Sequence, residues 1–573
     1  MIPRPLLDSI SSPADVKNLN EADLPRLAEE IRAELLAVLS RTGGHLASNL
    51  GSVELTVAMM RVFDPPADKM VWDTGHQAYT YKLLTGRRKL FQELRRDNGC
   101  CGFLQREESP YDIFGAGHAG TAISAATGIA VARDREGGDE KVLAIVGDGA
   151  LGCGVSLEGI NNIIESTQNL IIVLNDNKMS ISPNVGALAR SLNRVISGEH
   201  YNRLKGIAAE TVERIPMFGH QLRKGVKRVQ EAAKGVLVPG QIFEELGLRY
   251  FGPLDGHDLN ELVDTFRNVK RLHEPILVHV LTAKGRGYQH AERAPEDYHG
   301  MPTFDVSSGR KIAGSARDGS PPGKDKTFST AMGSALASVM SADQRVTAIT
   351  AGMCSSTGLK QIRKDFPRRF HDVGIAEEHA VVFAAGLATA GWRPVVAIYA
   401  TFMQRAMDCV FHDVCLQNLP VVFCLDRAGV VDDGPTHHGI QDMAFWRAIP
   451  ELTVLQPADS HDLEQMMTAL IAHNGPAMMR YPKGSAAAID VDTRAPVKWG
   501  KAEVVRNGAD VALWCVGRET ATGLEVAQSL ADDGIEATVV NARFVKPFDE
   551  ARLLQHAGTM PVVTIENHRI CGG

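Results

Sequence analysis

Short runs of β-branched and other apolar residues recur along the chain, separated by stretches long enough for helices. Such runs are typical of strands in parallel sheets that helices cover on both faces. They lie at 69–73, 142–146, 170–174, 276–281, 346–350, 370–375, 394–399, 420–425, 452–455, 477–481, 511–516, 537–541 and 562–565. The pattern predicts an α/β protein built from doubly wound, mostly parallel sheets.

Two polar breaks divide this pattern into three predicted domains. Gly, Ser, Pro and charged residues replace the apolar periodicity at 305–326, and a second polar stretch covers 486–500. Both are predicted linkers, and they separate domains at 1–304, 327–485 and 501–573. The last domain stops soon after its third predicted strand, without the helix that normally covers such a strand, so we expect it to be incomplete.

One segment of the first predicted domain has a different character. Residues 183–234 are basic and carry a helical pattern without strands. The whole chain is acidic, with a net charge of -7 from 61 Lys+Arg and 68 Asp+Glu. We therefore expect a helical insertion with a solvated face or a mobile cover rather than an arm that binds nucleic acid.

Composition favours a large protein of the cytoplasm. A chain of 573 residues exceeds one small domain, and 44% hydrophobic with 23% charged residues is ordinary for a soluble protein. The nine cysteines, an odd number without a C-x-x-C pair, favour a reducing compartment. The N-terminus lacks a signal pattern. The longest apolar stretch, 380–392, is predicted as a buried helix, because crossing a bilayer takes about 20 residues; we expect no membrane partner.

A glycine-rich stretch, GAGHAG, matches the dinucleotide-binding pattern at Gly115, Gly117 and Gly120. That pattern requires an apolar strand directly before it. The preceding residues, REESPYDIF, are charged and contain a proline. A nicotinamide site is therefore disfavoured, whereas a loop that approaches another phosphate stays open.

Polar motifs follow two neighbouring predicted strands. Asp148 lies in GDG after the strand at 142–146, and Asn177 lies in NDN after the strand at 170–174. Parallel neighbours bring both to the carboxyl edge of the sheet, where α/β proteins bind ligands. With the carbonyl of Met179 they offer oxygen ligands for Mg²⁺ that also binds a diphosphate. Each motif alone could be a helix cap or a turn; together they indicate thiamine diphosphate.

Glu377 supplies a second group that this cofactor needs. It follows the run at 370–375 and begins an apolar helix, IAEEHAVVFAAGLA. Burial raises the pKa of a carboxyl group, so Glu377 can share a proton with the aminopyrimidine nitrogen of the cofactor and favour its imino form. The alternative is that Glu377 and Glu378 merely stabilise a helix N-terminus, and the apolar residues on both sides argue against it.

The chain resembles one family over almost its whole length. The matching stretches are GGHLASNLGSVELT, WDTGHQAYTYKLLTGRR, LNDNKMSIS, VPGQIFEELGLRYFGPLDGHD, TAKGRGY, IAEEHAVVFAAGLA, IYATFMQRAMD, LDRAGVV, DDGPTHHG and RYPKG. They are similar to the 1-deoxy-D-xylulose-5-phosphate synthases of the transketolase superfamily. The resemblance implies two thiamine diphosphate-binding folds, a C-terminal transketolase-like domain and a homodimer. It also implies a thiamine diphosphate- and Mg²⁺-dependent transferase that condenses pyruvate with D-glyceraldehyde 3-phosphate, releasing CO₂, for isoprenoid, thiamine and pyridoxal phosphate biosynthesis.

The resemblance also implies roles for individual residues. The implied metal ligands are Asp148, Asn177 and Met179. The implied cofactor contacts are His76, Gly117, His118, Ala119, Gly149, Ala150, Asn177, Lys284, Tyr288, Glu377 and Phe402. The implied catalytic groups are Glu377, His45, His76, His299 and His437. The implied substrate contacts are Tyr399, Arg405, Arg427, Asp433 and Arg480. Arginine forks suit a phosphate, although Arg427 or Arg480 could equally be an ion-pair partner.

Placement along the predicted strands agrees with these roles. Glu377, Tyr399, Arg427 and Arg480 each fall at or just beyond the carboxyl end of a different predicted strand. This is where a site in such a sheet belongs. The first predicted domain would then bring the metal and diphosphate, and the second the pyrimidine ring and the substrate phosphate.

Several positions depart from the family's usual pattern. Ser356 stands where glycine is common, Gly120 and Ala122 where serines are frequent, and the loop at 430–438 is one residue shorter. Three alternatives stay open: ketol transfer to another acceptor, as in a transketolase; an enzyme of the pyruvate dehydrogenase type; and an inactive paralogue. The last would be expected to lose Glu377, Asp148 or a histidine, and none is lost.

Overall fold

The computed structural model describes residues 5–180, 184–197, 240–312, 326–491 and 494–572. The chain forms two compact units. The first comprises Met1–Leu36, His45–Phe91 and Phe103–His299, and the second Ala37–Gly44, Gln92–Gly102 and Gly300–Gly573. The predicted linkers at 305–326 and 486–500, and the three domains they separate, stay predictions. Most of the predicted helical insertion at 183–234 lies outside the described residues.

The helices in the first part of the chain are α1 Pro5–Asp8, α2 Pro13–Asn18, α3 Leu24–Thr42, α4 Ala47–Gly51, α5 Val53–Val62, α6 Tyr79–Lys82, α7 Arg88–Phe91, α8 Ala122–Glu136, α9 Asp148–Leu151, α10 Gly154–Ser166, α11 Gly186–Ser197, α12 Gln241–Glu245, α13 Leu259–Lys270 and α14 Gln289–Arg293. Those that follow are α15 Phe328–Ala342, α16 Lys360–Asp365, α17 Glu377–Thr389, α18 Ala400–Met403, α19 Met407–Cys409, α20 Asp442–Ala448, α21 Ser460–Ala472, α22 Glu519–Asp532 and α23 Glu550–Ala557. None of the helices in the described ranges is long and apolar enough to cross a membrane.

The strands are β1 Gly44–His45, β2 Lys69–Trp72, β3 Val142–Gly147, β4 Ile171–Asp176, β5 Arg249–Asp255, β6 Ile276–Leu281, β7 Gly300–Met301, β8 Val346–Thr350, β9 Phe370–Asp372, β10 Arg393–Tyr399, β11 Val422–Asp426, β12 Thr453–Leu455, β13 Ala477–Tyr481, β14 Glu503–Arg506, β15 Val511–Cys515, β16 Ala537–Asn541, β17 Phe544–Lys546 and β18 Val562–Ile565. Each of the thirteen apolar runs of the sequence corresponds to one of these strands.

The first unit is built on a five-stranded sheet of order β2-β3-β4-β6-β5, in which all neighbours are parallel. The inner strands β3, β4 and β6 are almost entirely buried, which is why each appears in the sequence as a mostly apolar run. The edge strand β5 was not predicted, because it does not form an apolar run. Its sequence RYFGPLD contains Gly252 and Pro253, and its register shifts between Phe251 and Leu254.

The second unit contains a seven-stranded sheet of order β17-β12-β13-β11-β10-β8-β9. Six of its strands are parallel, and β17 pairs antiparallel with β12. Buried side chains of α15 and α21, including Phe328, Met332, Leu463 and Met466, pack with alternate residues of the strands in one apolar core. The opposite face is covered by α17, whose buried side is lined by alanine and valine. The buried helix predicted at 380–392 corresponds in part to α17, which ends at Thr389 and exposes Val382, while Trp392 lies exposed beyond it.

A four-stranded sheet of order β14-β16-β15-β18 completes the second unit. β15 is parallel to β16 and β18, as expected, and β14 pairs antiparallel with β16. Like β17, β14 is a short edge strand that is only partly buried, so neither produces an apolar run in the sequence. In both larger sheets the parallel strands end together at one edge, and the polar motifs of the sequence lie there.

Candidate active site

The carboxyl edge of the first sheet carries a buried carboxylate, Asp148, with one unpartnered oxygen. β3 pairs with β4 in register Gly147 with Asn175, so Asp148 and Asn177 follow adjacent strand ends. Asp148 Oδ1 accepts a hydrogen bond from the Gly149 N–H (3.1 Å). Its Oδ2 is buried and has no hydrogen-bond partner among the described residues. Burial, together with the neighbouring Asp176, raises the pKa of Asp148 well above its usual range. A cation beside Oδ2 would remove this cost.

The turn after β4 places further oxygen atoms beside this carboxylate. Asn177 Oδ1 accepts a hydrogen bond from the Met179 N–H (3.1 Å), and Lys178 between them has a left-handed φ of 65°. Asp176 also takes part in the turn, because its Oδ1 accepts a hydrogen bond from the Lys178 N–H (3.1 Å) while its Oδ2 lies 2.9 Å from His279 Nε2. The described residues contain no cluster of three or more His, Cys, Asp or Glu side chains that could hold a metal. One carboxylate, one amide and one backbone carbonyl nevertheless fit Mg²⁺, which keeps other ligands from water or phosphate.

A lysine near the same edge fits an anion. Lys284 is buried, and its Nζ donates to the Ser180 carbonyl (2.5 Å). Burial lowers the pKa of Lys284 to about 8, although the negative charges of Asp148 and Glu296 act to raise it. A diphosphate would stabilise the charged ammonium. Tyr288, four residues further, is also buried and packs edge-on against the Tyr298 ring at 5.9 Å.

Three predicted histidines of the first unit form one cluster. The ring centroids of His45, His76 and His299 lie 5.1 to 5.5 Å from one another. His76 Nε2 lies 3.2 Å from the Ser48 hydroxyl. His299 Nδ1 is buried with no hydrogen-bond partner in the described ranges. Burial lowers the pKa of His299 well below its usual range, and the charges of Lys284, His76 and His45 lower it further. The cluster therefore presents a neutral imidazole at pH 7.

The glycine-rich stretch is a loop that leads into α8. No strand precedes it between β2 and α8, where every residue is described, so the dinucleotide pattern lacks its structural context. Gly117 and Gly120 adopt left-handed φ values of 147° and 91°. The Asp73 carboxylate accepts from the N–H groups of Gly120 (2.9 and 3.0 Å) and Ala122 (3.0 Å). Asp73 thus ties the loop that carries His118 to the turn that carries His76. The sequence shows no signal that singles out Asp73.

Glu377 is the first residue of α17 and only 2% exposed. Its Oε2 makes no hydrogen bond with the described residues, and Arg405 Nη1 lies 3.5 Å away. Burial raises the pKa of Glu377 to about 7, although Arg405 acts in the opposite direction. A carboxyl group with this pKa can hold or release a proton at neutral pH. The expectation that burial perturbs this group therefore agrees with the geometry.

Aromatic and cationic groups meet at the ends of β10 and β11. Tyr399 and Asp426 are paired at these ends. The rings of Tyr399 and Phe402 stack at 5.5 Å, and the His437 ring meets the Phe402 ring edge-on at 5.2 Å. The Arg427 guanidinium carbon lies 4.0 Å from the Tyr399 ring centroid. Four of the predicted residues therefore lie in one cluster of the second unit.

The guanidinium of Arg427 is only partly used. Its Nη1 donates to Asp426 Oδ1 (2.7 Å) and to the Ser356 carbonyl (2.9 Å). No hydrogen bond engages its Nε or Nη2 within the described part of the chain. Two donors of the planar fork can thus bind a phosphate. Ser356, the departure from the family's glycine, contacts Arg427 through its backbone carbonyl and Tyr399 through its side chain.

Arg95 completes this cluster and was not expected from the sequence. It has a left-handed φ of 63°, and its Nη2 donates to Asp433 Oδ1 (2.9 Å) and the Asp432 carbonyl (2.8 Å). Burial acts to raise the pKa of Asp433, but the charges of Arg95, Lys483, His437 and Arg427 lower it below its usual range. The Asp433 carboxylate is therefore ionised and held in place by charges from distant parts of the chain.

Arg480 is placed differently from the other predicted substrate residues. It is fully buried and donates to both oxygens of Asp442, with Nε–Oδ2 at 2.8 Å and Nη2–Oδ1 at 3.1 Å. Its remaining donors go to Gln456 Oε1, Asn567 Oδ1 (3.0 Å) and the Gly439 carbonyl (3.2 Å). All five N–H groups therefore have protein partners. In this conformation Arg480 is a structural ion-pair partner, one of the two roles that the sequence left open.

Three family profiles match consecutive parts of the chain. The profile described as 1-deoxy-D-xylulose-5-phosphate synthase matches residues 7–282. Transketolase, pyrimidine binding domain, matches residues 324–487, and Transketolase, C-terminal domain, matches residues 500–573. These matches confirm the predicted transketolase-type α/β fold.

Similar proteins cover nearly all of the chain. The 1-deoxy-D-xylulose-5-phosphate synthase 1 of Geobacter sulfurreducens is 48% identical over 571 residues, which are 99% of this chain and 88% of that protein. The 1-deoxy-D-xylulose-5-phosphate synthase of Methylacidiphilum infernorum is 47% identical over 571 residues, 99% of this chain and 89% of that protein. Among solved structures, a transketolase from Campylobacter jejuni is 18% identical, covers 96% of this chain and 93% of its own, and has a TM-score of 0.40. By the extent of its similarity to the two synthases, the chain belongs to the 1-deoxy-D-xylulose-5-phosphate synthase family.

Proposed function

We propose that the chain condenses pyruvate with D-glyceraldehyde 3-phosphate to 1-deoxy-D-xylulose 5-phosphate and CO₂, using the thiamine diphosphate and Mg²⁺ of its family. The observation that carries this proposal is Glu377, a buried carboxyl group at the start of α17 whose pKa is raised to about 7. When bound, thiamine diphosphate supplies a carbon nucleophile for pyruvate and an electron sink for the loss of CO₂.

The first unit holds the charged end of the cofactor. Asp148, Asn177 and the Met179 carbonyl bind Mg²⁺, and the buried Lys284 binds the diphosphate. The unpartnered oxygen of Asp148 supports this assignment, because a buried carboxylate without a partner is costly unless a cation binds there. The lowered pKa of Lys284 supports it in the same way, since an anion would stabilise its charged form.

Glu377 and the histidines transfer protons in the proposed reaction. Glu377 Oε2 holds the proton that it shares with the aminopyrimidine nitrogen, and a pKa near the working pH makes that exchange easy in both directions. Neutral His299, beside His45 and His76, can accept a proton or donate a hydrogen bond to the reacting oxygens. His437, whose ring meets the Phe402 ring edge-on, can likewise accept a proton or donate a hydrogen bond.

The phosphate of the aldehyde binds at Arg427. Its two unused donors, Nε and Nη2, favour an anion. Asp433 lies in the same cluster as an ionised acceptor that can hold a substrate hydroxyl group. Arg480 is the weakest of the assigned substrate contacts, since it would first have to release Asp442.

We further propose that the chain works as a cytoplasmic homodimer. Apolar side chains are exposed on α17 and on the segment Val410–Cys415 and its continuation: Val382 is 45% exposed, Phe411 37% and Leu416 61%. Exposed apolar residues on neighbouring elements suit a subunit interface. The nine cysteines are all free thiols, which suits a reducing compartment. Light scattering of the purified chain tests the assembly: a monomer mass at micromolar concentration would refute it.

The activity is tested by incubating the chain with pyruvate, D-glyceraldehyde 3-phosphate, Mg²⁺ and thiamine diphosphate and identifying the product by mass spectrometry. We expect 1-deoxy-D-xylulose 5-phosphate, dependent on both cofactors and absent with Glu377→Gln. Formation of a different ketose phosphate, or turnover only with another aldehyde, would favour the ketol transfer to another acceptor that the sequence left open. Turnover that survives Glu377→Gln would refute the role of that residue.

A further inference from the structure

A half-buried histidine outside the site described above bridges two parts of the first unit. His257 follows β5, and its backbone N–H donates to Asp255 Oδ1 (2.9 Å). Its ring Nδ1 lies 3.1 Å from Glu54 Oε2 on α5, and its Nε2 accepts from the backbone N–H of Ala283 (2.9 Å). His257 belongs to the stretch GPLDGHD, to which no role has been assigned.

These contacts fix the tautomer of His257. A backbone N–H can only donate a hydrogen bond, so Nε2 must carry the lone pair that accepts it. The ring proton is therefore on Nδ1 and is donated to the Glu54 carboxylate. The ring thus transmits the position of Glu54 to the main chain at Ala283.

Glu54 is itself held as a charged and fixed acceptor. It lies in the first turn of α5, is buried, and pairs with Arg32. Burial acts to raise the pKa of Glu54, but the hydrogen bonds from His257 and Arg32 and the charge of Arg32 lower it below its usual range. The carboxylate therefore stays ionised at neutral pH and orients the imidazole.

The main chain held by His257 directly precedes Lys284. On one side of Ala283, the Thr282 N–H donates to the Asp176 carbonyl (2.9 Å). On the other, the Gly285 N–H donates to the Ala47 carbonyl (2.8 Å). A Cβ at Gly51 would lie 2.8 Å from the Ala283 carbonyl oxygen, so the segment is closely packed from behind. Among these contacts of the segment, only the hydrogen bond to His257 involves a side chain, and it requires an Nε2 without a proton.

We propose that Glu54 and His257 are positioning residues that hold the segment 282–285 so that Lys284 lies where the diphosphate of the cofactor binds. The inference rests on the proposed function, because it takes Lys284 as a cofactor contact. Glu54 and His257 act through the backbone of Ala283, in the way that outer partners orient a ligand-binding side chain.

Two substitutions at one position separate the two hydrogen bonds. The amide of asparagine falls near the Nδ1 position of histidine, so His257→Asn keeps a donor for Glu54 but removes the acceptor for Ala283. The amide of glutamine falls near Nε2, so His257→Gln keeps the acceptor for Ala283. Affinity for thiamine diphosphate in the presence of Mg²⁺ is measured by calorimetry on the cofactor-free chain. We expect about tenfold weaker binding for His257→Asn, in the range seen for outer-shell partners, and at most about a threefold change for His257→Gln.

A purely structural role predicts a different result. In that case His257→Asn and His257→Gln would weaken binding equally and lower the melting temperature of the cofactor-free chain in parallel. This outcome would overturn the inference. The positioning role instead predicts equal melting temperatures for the two variants and unequal cofactor affinities.

A double-mutant cycle with Lys284→Ala tests whether His257 acts through the lysine. If it does, adding His257→Asn to Lys284→Ala causes no further loss of affinity, because the side chain that His257 positions is already absent. Fully additive losses would overturn the inference while leaving Lys284 as a cofactor contact. Unchanged affinity in Lys284→Ala alone would overturn the cofactor role of Lys284, and this inference with it, but leave the proposed reaction to the product assay.

Discussion

Replacing Glu377 with glutamine is expected to stabilise the cofactor-free chain while abolishing its turnover. The side chain is 2% exposed, and its Oε2 makes no hydrogen bond with the described residues. Glutamine has nearly the same shape but cannot ionise. The substitution therefore removes the cost of burying a charge and leaves the packing of α17 almost unchanged.

The magnitude follows from the pKa of Glu377, which burial raises from 4.5 to about 7. Each unit between the folded and unfolded values corresponds to about 1.4 kcal/mol, so ionisation costs the folded state about 3 kcal/mol. Below pH 4.5 the group is protonated in both states and the cost is absent. Between pH 4.5 and 7 the unfolded chain releases its proton while the folded chain keeps it, so stability falls as the pH rises. Above pH 7 the full cost is present.

The assay compares the melting temperatures of the wild-type chain and Glu377→Gln, both free of cofactor, from pH 4.5 to 8. The variant should be no more stable than the wild type at pH 4.5 and increasingly more stable above it, by up to about 3 kcal/mol at pH 8. Glu378→Gln is the matched control, because it makes the same change of charge at the next position of α17, where the side chain is only partly buried. The reasoning fails if the difference between Glu377→Gln and wild type does not depend on pH, or if Glu378→Gln reproduces it.

Three further outcomes are expected. Saturation of the wild-type chain with Mg²⁺ and thiamine diphosphate at about 100 times the dissociation constant should stabilise it by about 2.7 kcal/mol, and Asp148→Asn should lose most of the resulting rise in melting temperature; an unchanged rise would exclude Asp148 as a ligand. Arg427→Lys, which cannot offer a planar fork, should raise the KM for D-glyceraldehyde 3-phosphate by about tenfold or more and that for pyruvate by less than about twofold, and equal effects on both would remove Arg427 from the phosphate site. Arg480→Ala leaves Asp442 buried without its partner and should destabilise the chain by about 3–5 kcal/mol in urea unfolding, whereas a fully stable variant with a selectively raised aldehyde KM would restore the substrate role.

The interior of the fold is readable from the sequence because its strands are buried on both faces. The first four residues of β4 are buried and form an apolar run, and the two buried polar residues that end the strand, Asn175 and Asp176, lie at its carboxyl edge. Three of the five strands that were not predicted, β5, β14 and β17, lie at sheet edges and are only partly buried, and the other two, β1 and β7, are two residues long. Partial burial allows polar residues, glycine and proline, so these strands leave no uniform signal.

The candidate site likewise contains residues that the sequence predicts and residues that it does not. The positions of Asp148, directly after the buried strand β3, and of Glu377, five residues after the edge strand β9, could be predicted because the sheet brings strand ends together. Asp73, Arg95 and His257 could not, because their roles depend on partners chosen by the tertiary fold. Arg95 lies 338 positions from Asp433 along the chain. No local pattern links residues so far apart, and each of them alone resembles an ordinary polar residue.

The two arginines assigned to the phosphate show why nearness to a strand end is too coarse a criterion. Arg480 lies within β13, opposite Leu425 of β11, so its side chain is confined to one face of a buried sheet. Its neighbours Met479 and Tyr481 point to the other face, into the apolar core. Arg427 lies one residue beyond the end of β11, with a left-handed φ of 64°, and is thus released from the strand's alternation. Arg427, beyond the end of its strand, therefore keeps two available donors, whereas Arg480, within its strand, is enclosed by protein partners. The register of β11 with β13 determines this difference.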